Sequence, residues 1–463
     1  MQILPSSRAS ADQDLAGLEL APFRGVRYAQ DRVSGLAEVT SPPYDVIFRD
    51  KEDQLMAADP HNVVRLILPR PVPARPGEEY HHAAVLLREW LDEHILAADP
   101  VPALYVYEQV ADDVAGADEA GQSGSSAHQP APVQPAPVQR GLIGALKLVR
   151  PDAGIVLPHE DVASGPVAGR RQLMEATEAN LEPIFLLYDG GPDGAATRIV
   201  AETAAREPLL EARTADGVAH RLWAVTDPCD LAAIAADLAP RQALIADGHH
   251  RYAAYLQLQE LRHMTGHGAG PWDYGLALLV DSAAYPPRIG AIHRVIPGLD
   301  VHQAAKLAAA AFSVHLIESG TADLTAAVDK LRTAGATGPA FVLAGGDQAF
   351  LLTDPDPEQV RTVMPAGRSR QWRALSAAVL QELLITRLWD IVDDDDAVRV
   401  VHHDAQAALR SARSAGGTAV LCNPMSPAEV YAVAARGEKI PRKSTSFDPK
   451  PRTGLVLRTF AVS

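Results

Sequence analysis

Residues 244–252 read LIADGHHRY and join a short apolar segment to a polar corner. The pattern predicts a buried strand over residues 243–246, a tight turn at Gly248 and a helix that continues over residues 253–261. We expect Asp247 to be the N-cap of this helix, with the amides of its first turn free to bind an anion. A strand that passes directly into a helix is typical of α/β proteins.

The residues of this corner have the chemistry of a phosphate site. The donors of His249, His250 and Arg251 match phosphate oxygens, and the guanidinium of Arg251 can bind them in a bidentate manner. Asp247 is also a candidate ligand for a divalent cation such as Mg²⁺. The alternative is a capping Asp beside surface histidines. Four chemically capable residues within five positions favour a functional corner.

The rest of the chain alternates apolar strand patterns with helical ones. We expect a strand at residues 63–68, an amphipathic helix at residues 78–91 and a hairpin of strands at residues 103–107 and 142–149. The intervening residues 111–139 are rich in Gly, Ser, Ala and Pro, which predicts a disordered insertion at the hairpin tip. Further strands are predicted at residues 184–188, 220–225, 275–280 and 291–296, and a hairpin at residues 341–352.

A chain of 463 residues is too long for one simple core. We therefore expect a mixed-sheet, multi-domain α/β (α+β) protein. Its predicted parts are an N-terminal α/β region at residues 1–150, a central region at 151–300 that contains the polar corner and a C-terminal α/β region at 301–463.

Composition narrows the classes of function. Lys and Arg number 42 against 58 Asp and Glu, a formal charge of −16, and the chain has no basic run; both features argue against nucleic-acid binding. The first residues lack the pattern of a signal peptide, and no segment reaches the roughly 18 apolar residues of a membrane span. Cys229 and Cys422 stand far apart, which fits a reducing compartment. We expect a cytoplasmic protein that acts on a small molecule; the sequence leaves a homo-oligomer open.

Several standard signatures of catalysis are missing from the sequence. It has no Gly-rich loop that ends in Gly-Lys-Ser/Thr, no His-Glu-x-x-His, no Cys-x-x-Cys and no Gly-x-Ser-x-Gly. Any phosphate or metal chemistry must therefore use another arrangement of residues.

Two other segments carry candidate site residues. In Leu157-Pro158-His159-Glu160 the carboxylate of Glu160 follows a Pro-fixed turn, where it can serve as a general base or remain a solvated side chain. His159 and the nearby Arg171 are candidate phosphate ligands. Residues 441–451 read PRKSTSFDPKP, and a loop of this kind either binds an anion or is rigid for structural reasons. Its candidate anion ligands are Lys443, Ser444, Thr445 and Lys450.

Taken together, these segments resemble one family. Seven motifs are similar to those of the bacterial and archaeal family called domain of unknown function 1015. They are PPYDVI at residues 42–47, NVVRL at 62–66, LYVYE at 104–108, PHE at 158–160, ADGHHRY at 246–252, HRV at 293–295 and the terminal KST-x-F-x-PK. The resemblance runs from about Pro22 to Phe460. One departure is Asp161-Val162, where members commonly have Arg-Thr after the Glu.

The Asp-Gly-His-His-Arg corner also resembles the phosphate-binding corner of the ParB/sulfiredoxin-like fold, as free-serine kinases use it, which implies that residues 151–300 are a catalytic region of that fold. This resemblance implies that Glu160 is the catalytic base and that Asp247 and His249 are catalytic. It also implies that Gly248, His250 and Arg251 bind phosphate, and that Asp247 holds the metal ion.

Two classes of function follow from these observations. The first is a kinase or phosphotransferase that acts on a free hydroxy amino acid such as L-serine, with a nucleotide or pyrophosphate as donor and Mg²⁺ as cofactor; the same parts could hydrolyse a phosphomonoester. The second is a nucleotide-gated binding protein without turnover.

Overall fold

The computed structural model describes residues 17–111, 138–392, 394 and 396–462. Its helices are α1 (Leu36–Val39), α2 (Arg49–Ala58), α3 (Val64–Ile67), α4 (Glu78–Asp92), α5 (Ser164–Thr177), α6 (Ala195–Ala204), α7 (Pro228–Leu238), α8 (His249–Met264), α9 (Val301–Ala308), α10 (Leu324–Gly335), α11 (Pro357–Val363), α12 (Arg370–Ala374), α13 (Ser376–Ala378), α14 (Ala405–Ser414) and α15 (Pro427–Ala434). A π-helix spans Val379–Leu388, and 3₁₀ turns lie at Tyr44–Val46, Pro151–Ala153 and Pro271–Asp273.

The strands are β1 (Leu20–Ala21), β2 (Val26–Tyr28), β3 (Leu96–Ala98), β4 (Leu104–Ala111), β5 (Val138–Lys147), β6 (Val156–Leu157), β7 (Ala179–Asn180), β8 (Ile184–Tyr188), β9 (Leu210–Arg213), β10 (Val218–Val225), β11 (Ala243–Asp247), β12 (Tyr274–Asp281), β13 (Arg288–Ile289), β14 (Ile292–Ile296), β15 (Ser313–Leu316), β16 (Phe341–Gly345), β17 (Gln348–Thr353), β18 (Arg399–His402), β19 (Thr418–Cys422), β20 (Phe447–Asp448) and β21 (Arg458–Thr459). The mixed α/β class predicted from the sequence is confirmed.

A large mixed sheet carries the polar corner. Within the described residues it has nine strands, in the order β6-β11-β8-β12-β5-β4-β10-β9, with β1 added beside β5. β8 runs parallel to β12 and antiparallel to β11. Successive residues of β8 enter two different hydrophobic clusters, Phe185 and Leu187 on one face and Ile184 and Leu186 on the other. The sheet is therefore covered on both faces, which explains why its central strands are continuously apolar.

The predicted hairpin at the start of this sheet is confirmed. β4 and β5 pair antiparallel from Tyr105 opposite Ile143 to Val110 opposite Val138. The predicted insertion at residues 111–139 lies for the most part outside the described residues; its two edges, Ala111 and residues 138–139, belong to the strands.

A second sheet is built from the C-terminal part of the chain. In the described residues its order is β15-β17-β16-β19-β14-β18, and each pair of neighbours is antiparallel. The predicted hairpin at residues 341–352 is confirmed, with Phe341 opposite Leu352. Helices α10 and α14 pack on one face of this sheet through Ala327, Leu331 and Leu409.

The strand predicted at residues 63–68 is wrong, because this segment forms the short helix α3. Asn62 explains the difference. Its Oδ1 accepts a hydrogen bond from the amide of Val64 at 2.9 Å, while its Nδ2 donates to the carbonyl of Glu38 at 2.6 Å. A side chain that bonds to the backbone two residues ahead favours a turn over an extended strand, whatever the β-propensity of the valines that follow. The helix predicted at residues 78–91 is confirmed as α4, one residue longer.

The last residues of the chain return from the second sheet to the first. β20 pairs with β13, Ser41 bridges to Thr453, Val26 bridges to Leu457, and β21 pairs with β7. The loop at residues 441–451 is thereby placed beside the polar corner. In the part of the chain that the structure describes, no helix has the length and apolarity needed to cross a membrane.

Candidate active site

The polar corner is a strand–turn–helix unit made by β11 and α8. Gly248 occupies the N-cap position with φ +94°. A Cβ at this position would lie 2.8 Å from Cγ2 of Ile184, so both the backbone conformation and the space require glycine. The expectation that Asp247 caps the helix is wrong, because its carboxylate instead binds two cationic side chains.

Asp247 and Asp45 share one lysine. Nζ of Lys450 lies 2.6 Å from Oδ1 of Asp247 and 2.8 Å from Oδ2 of Asp45, while Nη2 of Arg251 donates to Oδ2 of Asp247 at 2.6 Å. Burial and the charge of Asp45 raise the pKa of Asp247 against the opposing effect of the two cations. Burial also acts to raise the pKa of Asp45, but Lys450 and Arg251 outweigh it and lower that pKa. The ammonium of Lys450 thus holds two acidic groups together, and its own pKa is raised by them despite burial.

Arg251 is the buried cation that binds Asp247 in addition to Lys450. Its Nη1 donates to the carbonyl of Pro183 at 2.7 Å, and its Nε is buried without a hydrogen-bond partner among the described residues. The side chain of Arg251 is 2 % exposed, whereas that of Lys450 is 16 % exposed. A ligand that arrives from solvent can therefore contact Lys450 directly. Arg251, which is almost completely buried, acts on it only through its positive charge.

Two arginines lie against the ring of Tyr44. Cζ of Arg170 lies 4.3 Å and Cζ of Arg251 lies 5.8 Å from the centre of the Tyr44 ring. The amide of Tyr44 donates to Oε1 of Glu182 at 3.0 Å, and Glu182 lies 3.7 Å from Nη1 of Arg170. In this cluster Asp45, Asp247 and Glu182 face Arg170, Arg251 and Lys450, so its acidic and basic groups are equal in number.

Glu160 is hydrogen-bonded to the C-terminal loop at residues 441–451, which also carries Lys450. Oγ1 of Thr445 donates to Oε1 of Glu160 at 2.9 Å and lies 2.9 Å from Nε2 of His159. Because a hydroxyl has one proton, Thr445 must accept from His159, whose Nε2 therefore carries a hydrogen. Burial lowers the pKa of His159 to about 3, so this ring is neutral at pH 7. The threonine thus fixes both the orientation of Glu160 and the tautomer of its neighbour.

The pKa of Glu160 is shifted by charged groups of the same site. Burial raises the pKa of Glu160, and the charge of Asp247 adds to that effect. The hydrogen bond from Thr445 and the charges of Lys443 and Lys450 act in the opposite direction. Glu160 is therefore a carboxylate of raised basicity within electrostatic reach of the Asp247 corner, which is the combination expected of a general base.

His249 and His250 both accept hydrogen bonds from backbone amides. Nε2 of His249 accepts from the amide of His159 at 3.2 Å, and Nε2 of His250 accepts from the amide of Ala163 at 3.1 Å. Burial lowers the pKa of both rings. The ring of His249 packs edge-on against that of His159 at 4.5 Å. The two histidines therefore join the segment that carries Glu160 to the start of α8.

The structure places the other predicted residues less centrally. Arg171 lies on α5 and donates to Glu175 at 2.6 Å. Lys443 is exposed at φ +54°, and its carbonyl accepts a hydrogen bond from Arg294. Oγ of Ser444 donates to the carbonyl of Arg442.

Sequence reasoning missed Asp45, Glu182 and Arg170 as site residues. Asp45 stands in the motif PPYDVI, and Arg170 immediately precedes the chosen Arg171, so both segments carried a signal. Glu182 follows β7 without any motif that could have indicated it.

The predicted metal position at Asp247 is occupied by side chains of the protein. Oδ1 of Asp247 lies 2.6 Å from Nζ of Lys450, and Oδ2 of Asp247 lies 2.6 Å from Nη2 of Arg251. In the described ranges no group of three or more His, Cys, Asp or Glu residues is arranged to hold a metal ion. A divalent ion at Asp247 would have to displace Lys450 and take further ligands from a bound phosphate.

Comparisons with known proteins identify a family and a set of solved structures. The sequence profile of the family described as "Protein of unknown function (DUF1015)" matches residues 20–125 and 126–408. No curated protein matches the chain. A solved free serine kinase in complex with ADP is 14% identical, with a TM-score of 0.34, over 68% of this chain and 92% of that one. A conserved hypothetical protein from Pyrococcus furiosus is 15% identical, with a TM-score of 0.32, over 65% and 90% of the two chains. The protein SbnI from Staphylococcus aureus is 12% identical, with a TM-score of 0.34, over 69% and 88%.

Proposed function

We propose that this chain, which belongs to the DUF1015 family, is a small-molecule kinase. It transfers a phosphoryl group from a nucleotide or pyrophosphate to the hydroxyl of a free hydroxy amino acid. L-Serine is the first acceptor to test. The observation that carries the proposal is the electrostatic proximity of Glu160, a half-buried carboxylate of raised pKa, to Asp247 and Lys450 of the Asp45–Lys450–Asp247 group. A base and a phosphate site are the two parts that such a reaction requires.

In the proposed reaction Glu160 accepts the proton of the acceptor hydroxyl. The hydroxyl oxygen forms a bond to the phosphorus atom, and the bond from phosphorus to the leaving oxygen of the donor breaks. The bond from Thr445 to Oε1 leaves Oε2 of Glu160 as the atom that receives the proton. Thr445 acts as a positioning residue because it binds the carboxylate, and the buried His159 in turn binds Thr445.

Lys450 and Arg251 stabilise the negative charge of the transferring group in this proposal. Lys450 is the more exposed of the two and is released from Asp45 or Asp247 when it turns to a phosphate oxygen. Two carboxylates beside a phosphate repel it, so a divalent cation bound with the phosphates would compensate their charge. Asp45 and Asp247 are the residues that would hold such an ion.

A nucleotide-gated binding protein without turnover is the second candidate. One observation favours it: Lys450 and Arg251 already have carboxylate partners, so a phosphate ligand would rearrange an existing network. Such a rearrangement can report that a nucleotide is bound without any chemistry. Under this alternative Glu160 has no proton to accept.

A screen for products tests the proposal. The full chain is incubated with Mg²⁺, one donor (ATP, ADP or pyrophosphate) and one acceptor (L-serine, L-threonine or L-homoserine), and phosphorylated amino acids are measured by mass spectrometry. We expect a product that requires both donor and acceptor. Release of inorganic phosphate without an acceptor product would instead indicate hydrolysis, and donor binding without any product would indicate the binding protein.

The rate of transfer should depend on pH through Glu160. Its raised pKa means that the carboxylate is protonated, and inactive as a base, over a pH range that extends above the ordinary value of about 4.3 for glutamate. Turnover should therefore fall as the pH drops through this raised pKa and level off above it. A profile that is flat down to pH 4 would contradict the assignment, provided that circular dichroism shows a folded protein there.

Replacing Thr445 by Val should move this acidic limb to higher pH. The hydrogen bond from Thr445 lowers the pKa of Glu160, and valine removes it at nearly constant volume. Thr445→Ser keeps the hydroxyl and is the matched control, with an expected profile close to that of the wild type. Equal profiles for the valine and serine variants would mean that the hydroxyl has no effect on the base.

A further inference from the structure

A cavity lies in the second sheet, close to the loop at residues 441–446. It has a volume of about 100 Å³ and is bounded by β14, β16 and β19 through Ile292, Phe341 and Cys422, and by helix α13 through Ser376 and Ala377. Ser444 of the loop also lines it. The residues that carry the proposed function, Asp45, Glu160, Asp247, Arg251 and Lys450, do not line this cavity.

The lining of the cavity includes one side chain of each charge. Arg294 lines it and is 4 % exposed, whereas Glu429, which also lines it, is exposed at the start of α15. One buried basic side chain and one exposed acidic side chain therefore line the same cavity. The hydroxyl of Ser376 and the amide of Asn423 add polar groups, and Phe341 and Leu380 add apolar surface.

We propose that this cavity binds a free α-amino acid with a short side chain, at a site separate from the acceptor site. Its carboxylate would lie at Arg294 and its ammonium group at Glu429, because one small cavity that contains both charges is complementary to a zwitterion. The apolar walls would contact the side chain. Size limits the class, since a cavity of about 150 Å³ admits benzene and this one is smaller.

The cavity is connected to the proposed catalytic site by a few residues of one loop. Nη2 of Arg294 donates to the carbonyls of Arg442 at 3.1 Å and Lys443 at 3.0 Å. Ser444 faces the cavity, and the next residue, Thr445, binds Glu160 and His159. An occupant that contacts Arg294 and Ser444 therefore acts on the segment that orients the base. Coupling of this kind is reciprocal: the occupant changes the affinity for the phosphate donor, and the donor changes the affinity for the occupant by the same factor.

Calorimetry on the full chain with L-alanine tests the binding site. L-Alanine has no hydroxyl and cannot be phosphorylated, so its binding is measured without turnover. We expect it to bind at least tenfold more tightly than propionate, which lacks the ammonium group, or ethylamine, which lacks the carboxylate. Ala377→Leu should abolish this binding by filling the cavity, whereas Ala428→Leu, an exposed alanine of α15 that does not line it, should leave it unchanged.

A second variant keeps the test independent of cavity packing. Glu429→Gln preserves the capping interaction with Ser426 but removes the negative charge, so L-alanine should then bind no better than propionate. The proposal fails if L-alanine does not bind, if Ala377→Leu and Glu429→Gln both retain the affinity, or if L-alanine competes directly with the phosphoryl acceptor. Binding of L-alanine in a chain that shows no transfer would overturn the proposed kinase and leave the cavity assignment standing.

Discussion

Replacing Glu160 by Gln is expected to lower the turnover number for phosphoryl transfer by about 10²–10⁴-fold, the range typical of a lost general base. Gln keeps an oxygen that can accept the hydrogen bond from Thr445, so the loop should stay in place. The dissociation constant of the donor should change little, because a base acts in the transition state and does not bind the donor in the ground state.

Glu175→Gln is the matched control for this substitution. Glu175 is a partly exposed glutamate of α5 that forms an ion pair with Arg171. We expect its turnover to equal that of the wild type. If Glu160→Gln weakened donor binding and kept the turnover number, Glu160 would belong to the donor site and another group would be the base.

Replacing Arg251 by Met is expected to lower the free energy of unfolding by about 3–5 kcal/mol, the cost of breaking a buried ion pair by removing one partner. The substitution leaves the carbonyl of Pro183 without this donor and leaves Asp247 to Lys450 alone. The burial of the arginine, 2 % exposed, makes solvent a poor replacement. Urea denaturation monitored by circular dichroism measures the change.

Arg171→Met is the control for this second prediction. Its ion pair with Glu175 is four residues away on the same helix, and the two side chains are 24 % and 42 % exposed. A pair of this type contributes about 0.3–0.5 kcal/mol. Similar losses for the two variants would show that the contacts of Arg251 stabilise the fold no more than an exposed pair does.

The local part of this site could be predicted from the sequence. An apolar strand, a glycine and a helix follow each other within a few residues, and the pattern of residues 243–261 was sufficient to place β11, the turn and α8. The role of Asp247 within that corner could not be predicted in the same way. An Asp before a helix normally caps it, but here Lys450 and Arg251 take both oxygens of the carboxylate.

The remaining contacts join residues that are far apart in the chain. Thr445 and Glu160 are separated by 285 positions, and Lys450 and Asp45 by 405. No periodicity or spacing indicates such pairs, because they depend on the path by which the last strands return to the first sheet. The sequence also does not distinguish Arg170 from Arg171, for a different reason. Neighbours on a helix point about 100° apart, and only packing decides which one faces Tyr44.

The most direct measurement is ³¹P nuclear magnetic resonance of the full chain with Mg²⁺, L-serine and the best donor from the screen, recorded for the wild type and for Glu160→Gln at the same concentration. We expect the resonance of a phosphomonoester of serine to grow in the wild-type sample as the donor signal falls, and to be reduced by at least 10²-fold in rate in the variant. A donor whose resonances shift on binding but whose phosphate never appears on an acceptor would contradict the kinase and leave a nucleotide-gated binding protein.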